Sequence, residues 1–342
     1  LSGNLDLSSV TLLNFQNLEI ANGDILTVNA VDLSGKTMNI NMLGTGSLII
    51  VSDGSNHNFS NISVTKGTGT VTLDVNINKD ISATNINNII DKFDVASGST
   101  LTLSYSQFNG HKGVGTGTLK LSDTSLTGAQ IKSINDASTN AIDLTNVTTI
   151  SSSTMAQMLE VVQNTAAVFT TAANYAVTIS DTSSASNVNL VVSDTTGTVT
   201  ATVTADTAAN LNAALTNATG TDALTLTINS TSTSSANLIS LDGKTSVAVG
   251  ATAITELTGN ATNIKTALAS SGITTVTNGS LAVTVSGSTS VADINTINAD
   301  SATGIVTATV TSAAASVLKG LQTDSNDTIT MTVNAEAASA AT

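Results

Sequence analysis

An all-β, right-handed parallel β-helix or solenoid, with short helices on some coils, is the fold class this sequence predicts. Three observations predict it. Val199-Thr-Ala-Thr-Val-Thr204 alternates apolar and polar residues strictly, which marks a strand with one buried face and one hydroxyl-bearing face. The same six residues return at 306–311, 107 positions later, flanked by matching strands at 176 and 282 and at 224 and 329. The first third also carries a short repeat, a small-residue turn leading into an alternating strand, at spacings near twenty. Tandem β-sandwich domains are the alternative, since an offset near 107 residues also matches a common domain size.

Residues 1–125 predict regular solenoid coils. Gly23-Asp24-Ile25-Leu26, Gly44-Thr45-Gly46-Ser47-Leu48, Gly67-Thr68-Gly69-Thr70-Val71, Ser97-Gly98-Ser99-Thr100-Leu101 and Gly115-Thr116-Gly117-Thr118-Leu119 are five such turn-to-strand passages. Glycine permits the tight corner, and β-branched residues suit the pleated face. Residues 126–170 predict an irregular, helical transition. Met155, Met158, Leu159 and Val162 recur at helical spacing after a run of hydroxyl residues able to cap a helix. Residues 171–342 predict an array of strand and short helix. Its helical candidates are 208–215, after Asp206 and Thr207 as alternative caps, then 263–268, 291–297 and 313–321. Such short pieces must pack on a sheet to persist. The stretch 334–342 has no strand period and reads as a junction or cap remnant. About fifteen coils at roughly 22 residues each would give a length of about 70 Å.

Composition narrows the class of function. The 342 residues contain no Pro, Cys, Trp or Arg, and aromatics are 2%. A hydrophobic share of 40% argues for a folded chain built on small aliphatic side chains. The formal charge of −14, with every positive charge on Lys, disfavours nucleic-acid binding, which needs basic patches. No apolar run is long enough to span a membrane. No signal-like segment opens at Leu1, so the chain reads as a mature form or a fragment.

Two stretches carry a resemblance. Asn17-Leu-Glu-Ile-Ala-Asn-Gly-Asp-Ile-Leu-Thr-Val28 with Asp32-Leu-Ser-Gly-Lys36 is one. Ser290-Val-Ala-Asp-Ile-Asn-Thr-Ile-Asn298, leading into Gly304-Ile-Val-Thr-Ala-Thr-Val-Thr311, is the other. In these the chain resembles the repeat regions of bacterial surface-layer proteins and giant exported adhesin-like proteins of cyanobacteria and proteobacteria. The resemblance implies an extracellular, assembled coat, type I secretion and calcium as a cofactor. The glycine- and aspartate-rich nonapeptide that binds calcium in RTX proteins is absent.

Asp53, Asp324 and Asp327 are the candidate calcium ligands, because oxygen-rich loops with Asn neighbours suit a hard cation. The same residues also form ordinary turns. Asp91 with Asp94, and Asp324 with Asp327, are close carboxylate pairs of the kind glycoside hydrolases use. His57 and His111 sit in turn-like text and read as solvated turn residues rather than members of a triad. Gly113–Gly117 reads as a corner rather than a phosphate loop, since no Lys-Ser or Lys-Thr follows.

The sequence therefore predicts a structural, non-enzymatic component of an extracellular bacterial surface layer or filament that associates with itself. Cell-surface polysaccharide is a further partner class, and nucleic acid and a membrane span are excluded. The alternatives are a stalk segment of a surface adhesin and a polysaccharide-acting β-helix enzyme.

Overall fold

The computed structural model describes residues 3–12, 15–81, 89–163, 168–275, 281–301 and 304–334. The expected C-terminal junction therefore lies outside the described residues except for Asn334. The chain divides into two compact units, Leu1–Val177 and Thr178–Thr342.

In the first unit a six-stranded sheet runs in the order Leu5–Asp6, Ile25–Asn29, Ser47–Val51, Val71–Val75, Lys92–Val95 and Lys112–Gly115. Neighbours are parallel and in register, so each winding of the chain lays a strand beside the previous one. Leu26, Leu48 and Val71 form one column, and Val28, Ile50, Leu73 and Phe93 form another. All seven are at most 3% exposed. Strict alternation explains this: residues of one parity face inward, where stacked aliphatic side chains lose their water. A second face stacks Lys79–Asp80, Thr100–Leu103, Thr118–Leu121, Ala141–Leu144 and Phe169–Thr171. A third stacks Asn17–Ile20, Met38–Met42 and Ile62–Lys66.

In the second unit Ser232–Ser234, Glu256–Gly259, Ala282–Thr289, Val306–Val310 and Thr328–Thr330 form a parallel sheet. The helices Ala185–Asp194, Ala208–Ala214, Ser235–Asp242, Ala261–Ala269 and Val291–Ser301 come about one to a winding. Successive ones pack together: Asn212 donates its side-chain N–H to the carbonyl of Asn237 at 2.8 Å. The long repeat is also a repeat of register. Thr200 faces Ala223 and Ala201 faces Leu224, just as Thr307 faces Thr328 and Ala308 faces Ile329.

The all-β solenoid class is overturned. The chain is 24% helix and 35% strand, with ten helices among the described residues and several small parallel sheets, a mixed α/β content. The sandwich alternative also fails, because every described strand pair is parallel and sandwiches pair their strands antiparallel. The physical cause lies in the caps. Ser104, Thr127 and Thr154 each accept the backbone N–H of a glutamine three residues on, whose side chain returns to the cap N–H. Ser184, Thr207, Ser234 and Asn260 each accept the N–H of an asparagine at the same spacing. These caps nucleate helices: Thr154, Thr207 and Asn260 open segments already expected to be helical, and Ser104, Ser184 and Ser234 open segments for which the sequence predicts none. Thr207, rather than Asp206, caps 208–214; Asp206 instead accepts the Asn210 side-chain amide at 2.9 Å.

Candidate functional site

A cluster of polar side chains in the first unit surrounds the loop from Asp53 to Phe59. It leaves the end of strand Ser47–Val51 at a turn where Gly54 has φ +83°. The Asp53 carboxylate accepts the Ser55 N–H at 2.9 Å and the His57 Nε2–H at 2.6 Å. His57 is buried and stacks on the buried Phe59 with ring centroids 6.1 Å apart. Burial opposes ionisation of Asp53, but its hydrogen bonds to His57 and the Ser55 N–H outweigh that, so its carboxyl lies below the ordinary carboxylate range. Lys79 closes the cluster. Its Nζ donates to the Ser55 carbonyl and to Asn56 Oδ1, the latter at 3.3 Å.

Asp53 takes both of these donors on one oxygen, Oδ1, and Asp324 and Asp327 lie in the second unit. There Asp327 accepts the Asp324 N–H at 2.8 Å and the Val306 N–H at 2.8 Å, one on each oxygen. It is a clasp on the first residue of the preceding strand. Among the described residues no three His, Asp or Glu side chains gather as a metal would require. Sequence reasoning missed the residue that performs this role most fully. Asp222 accepts the Val199 N–H at 3.0 Å and the Thr219 N–H at 3.0 Å. The signal was present: Asp222 precedes Asp327, and Thr219 precedes Asp324, by the same 105 residues that separate strands 224 and 329.

The pair Asp91 and Asp94 does not converge on a common point. Asp91 is held by an ion pair with Lys66 and by the Val71 N–H at 2.8 Å. Asp94 lies in register with Asp74 on the neighbouring strand, both half-buried on the outward face. Burial raises the Asp74 carboxyl above the ordinary range; the Asn76 amide opposes the shift and the Asp94 charge adds to it. A raised folded-state value means that the folded chain binds the proton more tightly than the unfolded chain. Stability then falls as pH rises from the ordinary value of 3.8 through the raised one. Asp74→Asn is accordingly expected to stabilise the protein at neutral pH by about 0.5 kcal/mol, the scale of a like-charge pair across strands. The gain should vanish below the ordinary value; thermal melts showing equal gain at both pH values would refute the assignment.

His111 is a turn residue packed at 5.4 Å from the Phe93 ring, with Nδ1 near the carbonyls of Phe108 and Asn109. An apolar cavity of about 80 Å³ lies among Leu7, Leu12, Phe15, Leu18, Leu26, Leu33 and Met38. That volume is well below the several hundred Å³ of a typical ligand pocket. No helix among the described residues is long and apolar enough to cross a membrane.

Comparison with known proteins adds no relative: no family model, no curated protein and no solved structure matches the chain.

Proposed function

We propose that this chain is a structural component of an extracellular bacterial surface layer or filament, built to stack its own windings and to associate with further copies. One observation carries the reading: the charged side chains are used to tie winding to winding. Lys66, Lys79, Lys120, Lys132, Lys244 and Lys265 each reach an acceptor 23 to 29 residues away, on a neighbouring winding. Asp91, Asp222 and Asp327 each clasp the start of the preceding strand. In this reading Asp91 has a fastening role rather than a catalytic one.

The outward face of the second unit supports the assembly part. Ser234, Thr258, Thr284, Thr307 and Thr328 occupy one register position on five successive strands. Ser234, Thr258 and Thr284 bond within the chain, and the exposed Thr307 and Thr328 offer hydroxyls to a like face on another copy or to cell-surface polysaccharide.

Electron microscopy of the purified chain at rising concentration, with calcium and with chelator, tests the proposal. An ordered sheet or polymer is expected. Monomers alone at every concentration and in both conditions would overturn it. On native cells, isolated fibres with distinct tips would favour the adhesin-stalk alternative over an assembled layer.

A further inference from the structure

We propose that the Lys79 amine and the Asn56 carboxamide condense into an intramolecular amide bond, a covalent tie between two successive windings of the first unit. The inference begins with a lysine in an aliphatic place. Lys79 faces Leu101, and the column continues through Leu119, Ile142 and Phe169, all inward-facing and buried. Lys79 itself is only 5% exposed. An amine at that depth has to be satisfied by what it meets, and it meets the Ser55 carbonyl and, at 3.3 Å, Asn56 Oδ1. The nucleophile thus already touches the carboxamide whose carbon it would attack.

The neighbours set the charge around the amine. The Asp53 carboxylate, three residues before Asn56, acts on the lysine through its charge and holds the buried His57 imidazole at 2.6 Å. Burial, against the pull of the Asp53 and Asp80 charges, lowers the lysine pKa and so favours the neutral amine.

The step balances without an oxidant or co-reactant. The ammonium of Lys79 gives up a proton to water at the exposed Asn56. The Nζ lone pair then attacks Asn56 Cγ, forming the N–C bond and pushing the carbonyl pair onto Oδ1. The added nitrogen passes a proton to Nδ2 through water. The carbonyl re-forms, the Cγ–Nδ2 bond breaks, and the departing ammonia takes up a proton from water. Lysine ammonium and asparagine amide become a secondary amide and ammonium. In a chain without cysteine this would be a cross-link between windings, and it does not depend on the assembly proposal.

Mass spectrometry of the folded, full-length chain is the test. The wild-type protein is expected to be lighter than its sequence by one ammonia. Trypsin should leave Lys79 uncut and yield a branched peptide joining residues 37–66 to residues 67–92. Because a succinimide also loses ammonia, the branched peptide decides. Lys79→Arg and Asn56→Ala should each abolish it. Linear tryptic peptides ending at Lys66 and Lys79 in the wild type, with no branched species, would overturn the proposal. So would persistence of the branch in either variant.

Discussion

Alanine at position 69 is expected to cost at least about 3 kcal/mol, the upper range for forcing extra volume into a packed interior. A Cβ on Gly69 would stand 1.8 Å from the Gly46 carbonyl oxygen and 2.8 Å from its carbon. Both are backbone atoms of the neighbouring winding, so no side chain can swing aside. Nor can the winding retreat. Gly46 donates its N–H to Leu43 at 2.9 Å, and the strands on either side are locked in register, Leu48 against Val71. Parallel strands sit about 4.8 Å apart, and a methyl group between the corners exceeds that spacing. Gly98→Ala is the control. Its φ is +80°, but nothing lies within 4 Å of its would-be Cβ, so only the left-handed backbone penalty applies, roughly 1 kcal/mol. Thermal and urea unfolding of both variants by circular dichroism checks the ordering. A Gly69→Ala protein as stable as Gly98→Ala would show that the windings do not approach as described.

These glycines also mark how far the sequence could be read. Gly44-Thr-Gly46 and Gly67-Thr-Gly69 stand out as equivalent turns, and their strands do stack, Leu48 on Val71. Leu101 was placed in the same series, yet it belongs to a different face and stacks between Lys79 and Leu119. Alternation shows that a strand has an inside; it does not say which face of the winding that inside belongs to. The helices were legible in part: Met155–Val162, Ala208–Ala214, Ala261–Ala269, Val291–Ser301 and Ala315–Leu318 fall on expected candidates, whereas Ala185–Asp194 does not. Val188, Val191 and Val192 are buried at helical spacing in Ala185–Asp194, but three β-branched residues read as strand propensity. What decides for helix is the Ser184 cap, together with packing on the neighbouring helix Ala208–Ala214. Packing between windings is a contact some 25 residues distant, invisible to local periodicity. At the candidate site, Asp53 and Asp327 were recognised as turn carboxylates of interest. Their actual partners, His57 within the loop and Val306 on another winding, could be found only by folding the chain.

Asp222→Ala should then be the most damaging carboxylate substitution in the second unit, at roughly 3 kcal/mol. The side chain is 3% exposed and its two oxygens take two backbone N–H groups, those of Val199 and Thr219. Val199 is fully buried, so removing the acceptor leaves its N–H without water to replace it. Asn is not a remedy, because its NH₂ would be turned toward one of the two donors. Asp327 makes the matching pair of bonds, to Val306 and Asp324, but is only half-buried, and Asp324 is exposed. Water can take over part of its work, so Asp327→Ala is expected to cost about 1 kcal/mol. The two repeats thus provide an internal comparison in which the two backbone bonds match, while the burial of the carboxylate differs and Asp222 also accepts the Thr219 hydroxyl at 3.4 Å. Unfolding midpoints for the two variants would measure that difference directly. Equal losses would mean that the hydrogen bonds themselves, rather than the exclusion of water around them, set the strength of the clasp.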